Sequence, residues 1–358
     1  MTTKDYNEKS VMNKRICNSR RLLAPALSFI IYLLSFCPAG AQSKYIQAVD
    51  EYVPAPGQFV NTLPAATADD TPATMAAKCT ERLAGGAGEM ITLGAFGGYV
   101  TFHFDHPVAN VAGEMDFYIS GNYTNNGSEP GIVMVSQDSN HNQLPDDAWY
   151  ELGGSADTDS VGKVAYGYSI TYRRNGDLSD VAWTDSRGTS GSVPRNGFHK
   201  QEYFPLWLGT DELTFSGTLL PRNGYNSQAG GQLWLLTPLR YGYVDNAANS
   251  DTVACSFNID WAVDPLTRQP VSLSHVDFIR VYTAQNQVCG WIGETSTEVA
   301  GAEDLHLEAS LQIAAGIATT AAAPRPKATT DLTGRRIDSA CTPKKGIYII
   351  NGKKTIFK

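Results

Sequence analysis

In the segment GIVMVSQDSNHNQLPDDAWYE, residues 131–151, an alternating strand-like run enters an oxygen-rich loop and leaves it as an aromatic strand. Hard cations bind through such oxygens. Asp138, Asn140 and Asn142 fall at positions 1, 3 and 5 of an EF-hand-like calcium loop, Leu144 offers its backbone carbonyl at position 7, and Asp146 stands at position 9. Two positions depart from that pattern. Gln143 replaces the turn glycine of position 6 and Trp149 the bidentate glutamate of position 12, so Asp147 or Glu151 must complete the shell. The plainer reading is a polar turn in which Asp and Asn bond their own backbone beside Pro145. Ca2+, where bound, is expected to be structural and to lock the loop that presents Trp149 and Tyr150.

Ring-bearing side chains make the second chemical signal. Trp149, Tyr150, Trp183, Tyr203, Phe204 and Trp207, with Trp234, Tyr241, Tyr243, Trp261 and Trp291, gather in and near predicted loops. Sugar rings and flat macrocycles present apolar faces that stack on such residues, while a polar rim reads their edges. The segment FHKQEYFPLWLG, residues 198–209, holds the tightest group, and Pro205 argues against a central strand there. It is expected to be a loop or sheet edge carrying Tyr203, Phe204 and Trp207 outward, with Trp183 nearby as a further ligand-binding residue. The competing reading places these rings in the core, and it is preferred for Trp234 and Trp261, which sit in alternating strands.

Enzyme signatures are sparse. The six histidines form no HExxH pair, no Gly-x-Ser-x-Gly elbow is present, and His103 and His106, three apart on a strand, point to opposite faces. A glycosidase needs two carboxylates across a sugar ring. Glu294 and Glu298 have the even spacing that puts both on one strand face, which on an acidic surface reads as solvated. The chain therefore reads as non-enzymatic, with an acid-pair glycoside hydrolase and an adhesive or structural surface protein as the alternatives.

These residues must be positioned by strands. Apolar and polar positions alternate in residues 99–104, 115–119, 132–135, 166–172, 213–215, 232–236, 255–261 and 276–282, with Gly, Asn, Asp and Pro between them. No convincing helical stripe is legible. The expectation is an all-β, antiparallel two-sheet β-sandwich or jelly roll over residues 42–308. Ahead of it, Lys14, Arg15, Arg20 and Arg21, an apolar run from Leu22 to Phe36 and Ala39-Gly40-Ala41 read as a signal peptide over residues 1–41. Cys37 follows Phe36 rather than a small residue, which favours simple cleavage over lipidation, and the mature chain carries no expected membrane span. Residues 309–330 form an Ala/Thr/Pro-rich linker, and residues 331–358 a tail.

Removing the first 41 residues takes away six Lys/Arg and two Asp/Glu, leaving 22 basic and 34 acidic side chains and a net charge near −12. That balance argues against nucleic acid as a partner, because phosphate binding needs clustered Lys and Arg. Four cysteines remain: Cys79, Cys255, Cys289 and Cys341. Export permits disulfides, and of three connectivities a Cys255–Cys289 bridge is expected, against buried free thiols.

Three blocks, GGYVTFHFDHPVANV (97–111), SEPGIVMVSQDSNHNQLPDDAWYEL (128–152) and HVDFIRVYTAQNQVCGWIGETSTEVAGAEDLHL (275–307), resemble a group of secreted Bacteroidetes cell-surface proteins that are distantly similar to jelly-roll proteins. With VPAPGQFVN (53–61) the resemblance covers nearly the whole mature core. It implies a surface location, and, for members encoded beside outer-membrane transporters, capture of a glycan or a cofactor such as a corrinoid for uptake. Relatives tend to read Asp-x-Asn-Gly-Asn in the loop, so His141 and Gln143 depart from them. The tail, DLTGRR (331–336) and KGIYIINGKK (345–354), resembles C-terminal sorting signals of type IX secretion.

Overall fold

Period-two alternation becomes strand where β-branched and aromatic residues recur on one side of the chain, and the longest such runs meet in one sheet. In a computed structural model, which describes residues 42–316 apart from 126, 161 and 229, together with residues 329–331, 336–337, 346–350 and 353–357, six strands pair antiparallel in the order Ala48–Val53, Tyr99–Ala109, His275–Thr283, Gly131–Ser136, Trp149–Leu152 and Ala262–Val263. Register sets the core. Ile279 stands opposite Phe102 on one side and Val135 on the other, and all three are buried in the main hydrophobic cluster. Val133 and Val135 face that cluster, while Ile132 and Met134 join Tyr282, Leu220 and Tyr243 on the opposite face, as alternation requires.

Smaller sheets cover the two faces. Ser256–Phe257, Phe117–Ser120 and Gly301–Asp304 form a three-stranded sheet whose Phe117 and Phe257 rings stack at 5.6 Å within the main core. Glu212–Leu219, Ala165–Arg173, Val181–Asp185 and Ser190–Val193 form a four-stranded sheet with its own cluster around Phe96, Tyr168, Ile170 and Tyr172. The architecture is all-β and sandwich-like, built from several antiparallel sheets, with no barrel. In the tail, the described strands Thr329–Asp331, Arg336–Ile337, Gly346–Ile350 and Lys353–Phe357 pair antiparallel among themselves. The expected signal peptide, Cys37, Cys341 and linker residues 317–328 lie outside the described residues.

Two helices accompany the strands. Pro72–Leu83 starts at a reciprocal Thr71–Thr74 capping box with Pro72 in its first turn. It buries Met75, Ala76, Cys79 and Leu83. Two of those four are small, which is why no apolar stripe stands out in the sequence. Leu307–Ala314 carries the fold past the expected boundary at residue 308, where the buried Ser310 hydroxyl accepts a hydrogen bond from the Ala109 amide at 2.9 Å. No described helix is long and apolar enough to cross a membrane.

The expected Cys255–Cys289 bridge is not formed: Cys79, Cys255 and Cys289 are buried free thiols. Cys255 turns its Sγ to the carbonyls of Ala247 and Ala248, and Cys289 packs against Gly224. Between the two runs the nine-residue strand His275–Thr283, about 30 Å of extended chain, so proximity in sequence does not bring the sulfurs together.

Candidate functional site

The oxygen-rich loop closes on itself between the strands Gly131–Ser136 and Trp149–Leu152. Both carboxylate oxygens of Asp138 accept backbone amides, from Asn142 at 3.1 Å and Gln143 at 2.8 Å, and Asn142 Oδ1 accepts the Leu144 amide at 2.8 Å. Asp146 accepts the side-chain amides of Asn140 and Asn142 at 3.0 to 3.2 Å. Asp138, Asn140, Asn142 and Asp146 thus converge, and Asp277 holds the loop's base by accepting the Asp138 amide at 2.8 Å. Asp147 has a buried oxygen without a partner. Glu151 is unavailable to the loop because it is buried and bound to Arg268, Thr218 and Tyr282. The donor set fits a calcium ion if the two amides turn their oxygens toward Asp146, with Asp147 rather than Glu151 as the additional carboxylate.

The six residues expected to bind ligand, Trp149, Tyr150, Trp183, Tyr203, Phe204 and Trp207, do not form a rim. Tyr203 and Phe204 are fully buried in the cluster under the four-stranded sheet, and Trp207 is buried in the main core, stacked on Tyr52 at 5.7 Å. The cause is local. The Asn61 side chain donates to the carbonyls of Glu202 and Phe204 and accepts the Leu206 amide, while Glu202 accepts the Phe204 amide, and these bonds turn the rings inward. Trp183 is half-buried over the backbone of Gly191, its cross-strand partner. Trp149 lies against the Arg280 guanidinium at 4.3 Å, and Tyr150 packs on the main core.

Trp291, also named from the sequence, and Phe198, which opens the segment 198–209, face solvent instead. Phe198 is 80% exposed and Trp291 54% exposed, and both line a cavity of about 440 Å³ together with Phe59, His199 and Leu236. Its wall is held in place. Trp291 Nε1 donates to the Gln232 carbonyl at 2.6 Å, Asn196 Nδ2 donates to the Trp291 carbonyl at 2.7 Å, and His199 meets Phe59 edge-on at 4.6 Å. Tyr203 supports this wall from beneath, accepting the Asn196 amide and donating to the His199 carbonyl. Asn122, Thr124, Asn196 and Glu129 supply polar edges.

Below the cavity lie carboxyls. Glu129 lines it, and Glu129, Asp245 and Glu298 bring oxygens within 4.8 Å of one another. Glu294 and Glu298, expected on a solvated face, are 2% and 3% exposed. Backbone and hydroxyl donors fix them: Gln58 N to Glu294 at 2.6 Å, Asn122 N to Asp245 at 2.6 Å, Ser296 N to Glu129 at 3.1 Å, and Thr92 and Ser296 hydroxyls to Glu298 at 3.0 Å. Burial pushes the Glu294 carboxyl up to about 8 and Glu298 up to about 7, and burial plus the Glu298 charge drive Glu129 and Asp245 well above the usual carboxylate range. The Glu298 amide also bonds Asp245 Oδ2 at 3.1 Å, which ties the two acidic residues together.

A second hollow, of about 460 Å³, adjoins the loop at Asp138 and Asp277. Its titratable groups are already committed: His103 to Asp50, His106 to Asp105 and Asp304, and Asp277 to the Asp138 amide. The aromatic cavity is therefore the better candidate. Neither the protein-family models nor the curated proteins yield a match to this chain.

Proposed function

We propose that this chain is an exported surface protein that captures a glycan, without altering it, in the cavity between Phe198 and Trp291. The observation that carries the reading is a pair of exposed rings, held by backbone and side-chain bonds, standing over polar edges in a cavity of about 440 Å³. Pyranose faces stack on such rings while amide and carboxyl groups meet hydroxyls, and a cavity of this size lies in the range of small-ligand pockets. A corrinoid is the other ligand class, and delivery to an outer-membrane transporter would follow capture of either. The loop at Asp138–Asp146 would hold a structural calcium that stiffens the edge of the central sheet. The tail sheet would serve as a sorting segment for secretion.

The rival reading is hydrolysis by a carboxyl pair, favoured by the raised proton affinity of Glu294 and Glu298. Of the four carboxyls only Glu129 lines the cavity. A glycosidase needs two that face the sugar. The deciding experiment is calorimetry of the full chain against a glycan panel and cobalamin, with reducing-sugar release followed in parallel. Binding without release is expected, weakened about tenfold or more by Trp291→Ala, which corresponds to roughly 1.4 kcal/mol. Unchanged affinity in Trp291→Ala refutes the site, and sustained sugar release refutes the non-enzymatic reading.

A further inference from the structure

We propose that Glu129, Asp245 and Glu298 hold a divalent cation beneath the aromatic cavity, with Ca2+ the ion their hard oxygens suit. The spacing admits one coordination sphere. Their oxygens lie within 4.8 Å of one another, no farther apart than two oxygens on opposite sides of a calcium ion at about 2.4 Å.

Charge points the same way. Among the described residues no Lys, Arg or His forms an ion pair with Glu129, Asp245, Glu294 or Glu298. Buried carboxylates without a counter-charge are costly, and a cation or bound protons must neutralise them. A cation explains what protons leave unexplained. Glu294, 2% exposed and near enough to feel the Glu298 charge, has one oxygen fixed by the Gln58 amide and the other, Oε2, sealed from solvent without any partner. The Thr295 hydroxyl, in the same segment and 1% exposed, is also without a partner. An ion on the triad offers the unpartnered Glu294 oxygen, which stands outside the 4.8 Å group, a partner through a water bound to the ion.

The backbone prepares the triad for this. The Asn122 amide bonds Asp245 Oδ1 at 2.6 Å, the Glu298 amide bonds Asp245 Oδ2 at 3.1 Å, and the Ser296 amide bonds Glu129 at 3.1 Å, so three chain segments deliver fixed carboxyls to one point. Asn122 and Glu129 also line the cavity above, which places the ion in the floor of the glycan site. The cation site itself requires no glycan.

The test separates it from the oxygen-rich loop. Calcium bound per full chain is counted by native mass spectrometry and equilibrium dialysis in an Asp138→Asn/Asp146→Asn background, where the loop is disabled. One ion per chain is expected to remain. Adding Glu129→Gln, on the half-buried cavity wall, is expected to weaken it at least tenfold, and Asp245→Asn serves as the second variant if Glu129→Gln lowers the yield of folded protein. A loop-disabled chain that folds and binds no calcium overturns the proposal, as does affinity unchanged by both floor substitutions. Glycan calorimetry is a separate readout, so failure of ligand capture leaves this result standing and the reverse.

Discussion

Gln143 shows how one residue type strains the loop it occupies. Its φ is +61°, and His141 two residues earlier is at +59°, both in the left-handed region that favours glycine. A calcium loop of this type carries glycine at position 6 because the chain must turn sharply to bring later oxygens back to the ion. Here the turn is made without it, held by the Asp138 carboxylate on the amides of Asn142 and Gln143. Gln143→Gly is expected to stabilise the protein by roughly 1 kcal/mol, seen as a higher denaturation midpoint, since a non-glycine residue in this region costs about that much. A lower midpoint would mean that the Gln143 side chain contributes more than its backbone loses. The departures from the calcium pattern were legible in sequence. That the turn survives them was not, because it depends on Asp277 from a distant strand holding the base.

Among the elements, the segment from Phe198 to Gly209 divides its aromatic residues between two tasks. Phe198 and His199 face the cavity, whereas Tyr203, Phe204 and Trp207 are core. Trp207→Ala is expected to destabilise the fold by about 3–5 kcal/mol in chemical denaturation while leaving ligand affinity in the folded protein near its native value. Trp291→Ala should do the reverse, with little change in stability. If Trp207→Ala weakens binding and leaves the denaturation midpoint alone, the inward placement is wrong. Pro205 signalled a break in pairing, and the chain indeed forms no strand there. Which way the rings turn was decided by the Asn61 side chain and its three bonds to this segment, a contact across more than a hundred residues.

Taken together, the buried acids make stability respond to pH in one direction. Glu294 titrates near 8 and Glu298 near 7 in the folded chain because burial penalises their charged forms, while in the unfolded chain both sit near 4.5. Between those limits the native state holds protons that the unfolded state has released, so raising the pH favours unfolding. His106 adds to the trend. Burial opposes its charge, but bonds to Asp304 and Asp105 win and raise its pKa, so its stabilising contribution is lost as pH rises above about 6.5. In chelator, denaturation midpoints are expected to fall as the pH rises from about 5 to about 8, and Glu294→Gln should flatten part of the slope. Midpoints that rise across this window would contradict the assignment.

Alternation of apolar and polar residues in 99–104, 132–135 and 276–282 was enough to announce an antiparallel β architecture, because a strand's side chains obey a period of two wherever one face is buried. The convergence of Asp138, Asn140, Asn142 and Asp146 was equally readable, since a loop of nine residues brings its own oxygens together. The acid-floored cavity was not. Glu129, Asp245 and Glu298 come from three segments more than fifty residues apart at the nearest, and their even or uneven spacing along the chain says nothing about a meeting point set by sheet pairing. Burial inverted the two other readings as well, hiding Glu294 and Glu298 among hydrogen-bond donors and turning Tyr203, Phe204 and Trp207 into core. Local pattern specifies which face a residue takes within its own strand; which faces then close on one another depends on long-range register, and the candidate site is made of those encounters.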